Sequence, residues 1–80
     1  MVTLKNICRT ADFISAEYYP ETSQTPGFIK LSNDGTVIER RLTEYDGYLK
    51  SYFVHARNRL QKYLEENRVD FLEEVTIMWC

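Results

Sequence analysis

Residues 45–66, YDGYLKSYFVHARNRLQKYLEE, decide the fold. Apolar side chains recur at Leu49, Tyr52, Phe53, Ala56, Leu60, Tyr63 and Leu64. At about 100° per residue they share a stripe roughly 120° wide, enough for a helix to lie on a sheet. The spacing predicts one long amphipathic helix. Two caps compete at its start. Thr43 with Asp46 three residues on fits a capping box, and Asp46 also fits the N-cap itself. Gly47 costs about 1 kcal/mol relative to alanine inside a helix, which places the start close to it. Asn67 suits the left-handed residue that follows a last turn. Lys62 complements the helix dipole, whereas Glu65 and Glu66 oppose it.

Before the helix the sequence reads as strands. Phe28–Leu31 and Val37–Leu42 flank SNDG at 32–35, and Asp34-Gly35 between two such runs signals a hairpin. Ile29 and Leu31, with Ile38 or Val37, are expected to face the helix. Residues 20–27, PETSQTPG, hold both prolines and form a surface loop. Phe13–Tyr19 is rich in aromatic and β-branched residues, with Ile14, Ala16 and Tyr18 on one face. Val2–Cys8 forms a first strand whose alternation slips at Asn6–Ile7. Thr10, Ala11 and Asp12 either turn the chain or bulge one long bent strand. After the helix, Val69, Phe71 and Leu72 are expected to tuck under its end. Val75–Trp79 is nearly all apolar, the pattern of a central strand or one covered on both faces, and a crossover connection after the helix is open to it. The expected fold is α+β: a mostly antiparallel sheet of about five strands, ordered β-β-β-β-α-β along the chain, with one long helix on one face.

Eighty residues make one domain, 1–80, with one modest core and no room for a large internal cofactor. The formal charge of −2 gives no global pull toward nucleic acid or anionic lipid. No apolar run approaches transmembrane length and the N-terminus lacks a signal-peptide core, so a cytoplasmic protein is expected. Cys8 and Cys80 are far apart in the chain. With one histidine they make no zinc motif, and reduced thiols are expected. No cofactor or metal is expected.

No motif demands a particular chemistry. Ser51 and His55 are one helical turn apart, but a mid-helix serine lacks the strained turn and oxyanion donor that a nucleophile needs. Glu65–Glu66 and Glu73–Glu74 are adjacent residues and read as solvated faces. An enzyme is not expected. Six tyrosines and one tryptophan exceed what a small core hides, and such residues anchor interfaces. Tyr18, Tyr19, Tyr45, Tyr48 and Trp79 are therefore the candidate interface. His55, Arg59 and Lys62 on one helix edge, joined by Arg40 and Arg41 from the hairpin, make a candidate nucleic-acid surface. The acidic balance of the chain disfavours that reading.

The segments ISAEYYPE (14–21), GFIKL with NDG and V-I-E (27–39), HA in the helix and T-I-M-W near the C-terminus resemble small proteins of Gram-positive bacteria, some of prophage or mobile-element origin. The resemblance spans most of the chain. It implies a complete one-domain cytoplasmic protein and carries no catalytic residue over. The functional expectation is a small binding module, with a protein partner or a second copy of itself, through an aromatic sheet face or an edge strand.

Overall fold

The computed structural model describes residues 1–47, 50–71 and 73–79. Five strands and one helix follow the expected order: β1 (Val2–Arg9), β2 (Phe13–Pro20), β3 (Gly27–Ser32), β4 (Val37–Arg41), α1 (Ser51–Glu65) and β5 (Glu74–Ile77). The sheet is antiparallel throughout, in the order β4-β3-β2-β1-β5.

β2 sits at the centre of the sheet. Ile14, Ala16 and Tyr18 point to the helix side and are buried. β3 places Ile29 and Leu31 beside them, and β1 contributes Val2 and Leu4. α1 closes this layer with Phe53, Ala56, Leu60 and Tyr63. The helical stripe of the sequence is thus the face that meets the sheet. Thr10–Asp12 turn the chain between two separate strands, with the Thr10 hydroxyl accepting from the Asp12 and Phe13 amides at 3.1 and 3.2 Å. The irregularity foreseen at Asn6–Ile7 is a bulge: the β1–β2 register shifts between Lys5 and Cys8, and Asn6 has φ of 54°.

The hairpin turns at Asp34-Gly35, where Gly35 has φ of 89°. A second bulge lies on β4, because Lys30 pairs with Glu39 but Leu31 pairs with Val37. The extra residue resolves which side chain faces the helix: Val37 packs against the core, and Ile38 is left 54% exposed.

Three features depart from the sequence reading. The helix begins at Ser51 rather than near Gly47, because Gly47 (φ 53°) and Lys50 (φ 52°) are left-handed. Leu49 of the predicted stripe lies outside the described residues, as do Tyr48, Leu72 and Cys80. β5 is a four-residue edge strand rather than a central one, and it returns antiparallel to β1 with Val2 opposite Ile77. Its apolar run reads as central, yet its outward residues Glu74 and Thr76 are exposed, as is Met78 beyond it. Of the expected tuck, Phe71 packs on Tyr63 with ring centroids 5.2 Å apart, while Val69 is 69% exposed.

The helix ends as expected. Asn67 has φ of 53°, its amide donates to Leu64 O at 3.1 Å, and the Arg68 amide donates to Tyr63 O at 3.0 Å. These two bonds are the paired closures of a Schellman motif. Among the described residues no helix is long and apolar enough to cross a membrane.

Replacing Leu60 by alanine in this close-packed layer should cost about 2–5 kcal/mol in urea unfolding. Gly27→Ala should be at least as damaging as a typical overpacking change of about 1–3 kcal/mol. A Cβ there would overlap the Tyr18 ring, which lies across the Gly27 backbone.

Candidate interaction surfaces

The structure sends the candidate aromatic residues to three different places. Tyr18 is fully buried and cannot belong to an exposed patch. Its ring meets Phe53 edge-on with centroids 6.3 Å apart, and its hydroxyl donates to Asp46 Oδ2 at 2.8 Å. Tyr45 and Trp79 lie on the flank of α1. Tyr45 is edge-on to Tyr52 at 6.4 Å, Tyr52 is edge-on to Trp79 at 5.5 Å, and Trp79 stacks on His55 at 3.9 Å with the planes 15° apart. Tyr19 points to the opposite side of the sheet, with the Lys5 ammonium 5.0 Å from its ring centroid. Tyr48 lies outside the described residues.

The Tyr18 hydroxyl is one of four donors around the Asp46 carboxylate. Oδ2 also accepts from the Thr43 amide at 2.9 Å and the Thr43 hydroxyl at 2.8 Å, and Oδ1 accepts from the Phe53 amide at 2.8 Å. Asp46 is only 5% exposed. Burial works to raise its pKa, but the bonds from Thr43, Tyr18 and Phe53 outweigh it and hold the carboxyl below its ordinary value. The Tyr18 hydroxyl is pushed up, first by burial and then by the bond to Asp46. Oδ2 accepts three of these bonds and Oδ1 one. The cluster is a structural lock. The sequence showed Asp46 only as a cap; its bond to a residue 28 positions earlier carries no local signal.

The candidate basic residues do not form one surface. Arg40 lies on the helix side of β4, its guanidinium 5.5 Å from the Phe53 ring centroid. Arg41, the next residue, points to the helix-free face and donates to Pro26 O at 3.4 Å. β4 is one edge of the sheet. His55 stacks on Trp79, which follows β5 at the other edge. Arg59 and Lys62, one and two turns further along the helix, share the His55 flank. The hairpin arginines and the helix-edge residues therefore occupy opposite flanks, because α1 and the sheet lie between them. Among the described residues no hydrogen bond joins Ser51 to His55, whose imidazole stacks on the Trp79 indole.

The helix-free face was an expected interface, but apart from Tyr19 and Arg41 its residues went unread in the sequence, although their alternation was visible there. The strand registers build two cross-strand rows. One runs Glu74, Lys5, Glu17, Phe28, Arg41 from β5 to β4. The other runs Cys8, Ser15, Lys30, Glu39 from β1 to β4. Phe13, Tyr19, Thr3 and Thr76 complete the face. Its charges are locally dressed. Lys5 Nζ lies 3.7 Å from Glu74, the Lys30 ammonium lies 4.1 Å from the Phe13 ring centroid, and Asn6 Nδ2 donates to Glu17 Oε1. The face holds Lys5, Lys30 and Arg41 against Glu17, Glu39 and Glu74, so it is electrically balanced. Among the described residues no three His, Cys, Asp or Glu side chains group as metal ligands.

Comparison of the chain with protein-family models, with curated proteins and with solved structures finds no significant match.

The lock makes stability depend on acid. A carboxyl whose folded pKa is depressed contributes stability that is present above its unfolded pKa, about 3.9, and is lost as pH falls through the folded value. Urea midpoints should therefore fall below about pH 4. Asp46→Asn should cost about 1–3 kcal/mol at neutral pH, since it turns an acceptor against converging donors. It should also flatten the acid dependence. The residual slope belongs to Asp34, held at about 2 by bonds from the Ser32 hydroxyl and Thr36, and to Glu21, held down by the N-terminal ammonium.

Proposed function

We propose that the protein is a small interaction module that pairs with a second copy of itself through the helix-free face of its sheet. The observation that carries this reading is the charge layout of that face. Arg41 and Glu74 sit in one cross-strand row but on opposite edge strands. A two-fold axis parallel to the strands and passing through β2 lays β4 of one copy over β5 of the other. Arg41 then meets the partner copy's glutamate at both ends of the row, which is the self-complementarity an isologous contact requires.

Phe13, Tyr19 and Phe28 supply the apolar part of the contact. Each is half-buried in the single chain and has ring surface left to cover. Lysine stems crossing Phe13 and Tyr19 extend that apolar surface. With strands about 4.8 Å apart and β1 and β2 about 26 Å long, the footprint is roughly 500 Å² per copy. Twice that lies at the lower limit for a specific interface, so the expected dimer is weak and reversible, micromolar or weaker. Glu17 is the least favourable position, because the axis sets it against its own copy.

Light scattering on a sizing column across protein concentration tests the reading. A concentration-dependent dimer is expected. Arg41→Glu or Glu74→Arg alone should shift it to monomer, and the double exchange should restore it, an outcome that loss of a single stabilising contact within the chain does not produce. Glu17→Gln should tighten the dimer. A monomer at millimolar concentration, or single exchanges without effect, overturns the reading.

A further inference from the structure

We propose that the outer edge of β5 accepts an extended acidic peptide as a sixth strand, held beneath the basic flank of α1. This uses a different surface from the face contact above and stands without it.

The two edges of the sheet are built differently. β4 is blunted: it carries a bulge at Val37–Ile38 and three successive charged residues, Glu39, Arg40 and Arg41. Bulges and charges are the usual means of stopping strand addition. β5 has neither. Its register against β1 is unbroken from Glu74 to Ile77, and it contains no proline, bulge or basic residue. Among the described residues no strand lies on its other side.

One flank of α1 lies on the side of this edge. Phe71 packs on Tyr63 near the end of α1, and Trp79 packs on Tyr52 and His55 near its start. From Phe71 at one end to Trp79 at the other, the described residues therefore run alongside α1 in the reverse direction. The flank facing outward above β5 is His55, Arg59 and Lys62. Neither Arg59 nor Lys62 makes an ion pair among the described residues. A strand added beside β5 would alternate its side chains between this flank and the opposite face. Carboxylates on the helix side are the complementary choice. Glu66, Asp70 and Glu73 crowd the N-terminal end of β5, so the favoured acidic positions lie over Thr76 and Ile77, beneath Arg59. A second copy of β5 is the wrong occupant for this edge. Two-fold strand pairing would set Arg59 and Lys62 of one copy against those of the other, and like charges so placed repel. Strand addition between an edge and a neighbouring helix draws affinity from backbone hydrogen bonds and specificity from alternate side chains.

The probe is a fluorescein-labelled peptide of about eight residues, alternating valine or threonine with glutamate, a typical strand length. Fluorescence polarisation at low salt should show binding that the same peptide with lysine for glutamate lacks. Arg59→Glu, with its fold checked by circular dichroism, should weaken binding about tenfold. N-methylation of alternate peptide amides should abolish it in one of the two registers, because only strand addition needs those donors. On binding, the outward backbone amides of β5 should gain protection from hydrogen exchange. Four results would each overturn the proposal: no binding at low salt, equal binding of the lysine peptide, binding indifferent to N-methylation in both registers, or displacement of the peptide by a single-stranded oligonucleotide that binds more tightly. The dimer is read by light scattering and this site by polarisation, so each fails or stands alone.

Discussion

The carboxylate of Asp46 is the interaction on which the rest of the structure depends. It is buried and has no cationic partner among the described residues, a combination tolerated only where hydrogen-bond donors surround the charge. Here the donors come from three parts of the chain: Tyr18 on β2, Thr43 in the connection after β4, and the Phe53 amide in the first turn of α1. One side chain thus ties sheet, connection and helix together. It also explains where the helix starts. Phe53 finds its acceptor seven residues back, and left-handed Gly47 and Lys50 fold the intervening segment so that it reaches. Gly27 belongs to the same arrangement. Without a Cβ it lets the Tyr18 ring lie flat across β3, which points the hydroxyl at Asp46.

A single helix covers one face of five strands, and this asymmetry sets what the molecule offers to others. The covered layer takes the large aliphatic residues of β1, β2 and β3. The opposite face takes aromatic rings and lysines that shield one another, with opposite charges in balance. The open face carries no net charge to repel a copy of itself, whereas Arg59 and Lys62, without ion pairs among the described residues, favour carboxylates. The two proposed contacts follow from that difference in charge.

The aromatic excess that stood out in the composition divides by location. Tyr18 and Tyr63 are core residues. Tyr45, Tyr52 and Trp79 form a ladder with His55 that pins the chain after β5 onto the helix. Tyr19 alone among the described tyrosines faces the open side. A count of aromatic residues detects that surface must be covered, but each ring's position depends on strand register and on which residue follows a bulge.

Much of the architecture was legible because its signals are local. The Phe53–Ala56–Leu60–Tyr63 spacing specifies an amphipathic helix, Asp34-Gly35 specifies the hairpin, and Asn67 specifies the helix end, each within a few residues of chain. The alternation of β2 marks its buried face for the same reason. What only the tertiary structure decided involves residues distant in sequence. The pairing of β5 with β1 makes an apolar run an edge strand, because Ile77 is buried by the helix layer while Glu74, Thr76 and Met78 meet solvent. The bond between Tyr18 and Asp46, the fit of Tyr18 over Gly27, and the separation of Arg40 and Arg41 from His55, Arg59 and Lys62 arise in the same way. Strand order and register bring distant side chains together or apart, and neither is encoded in the periodicity of any one segment.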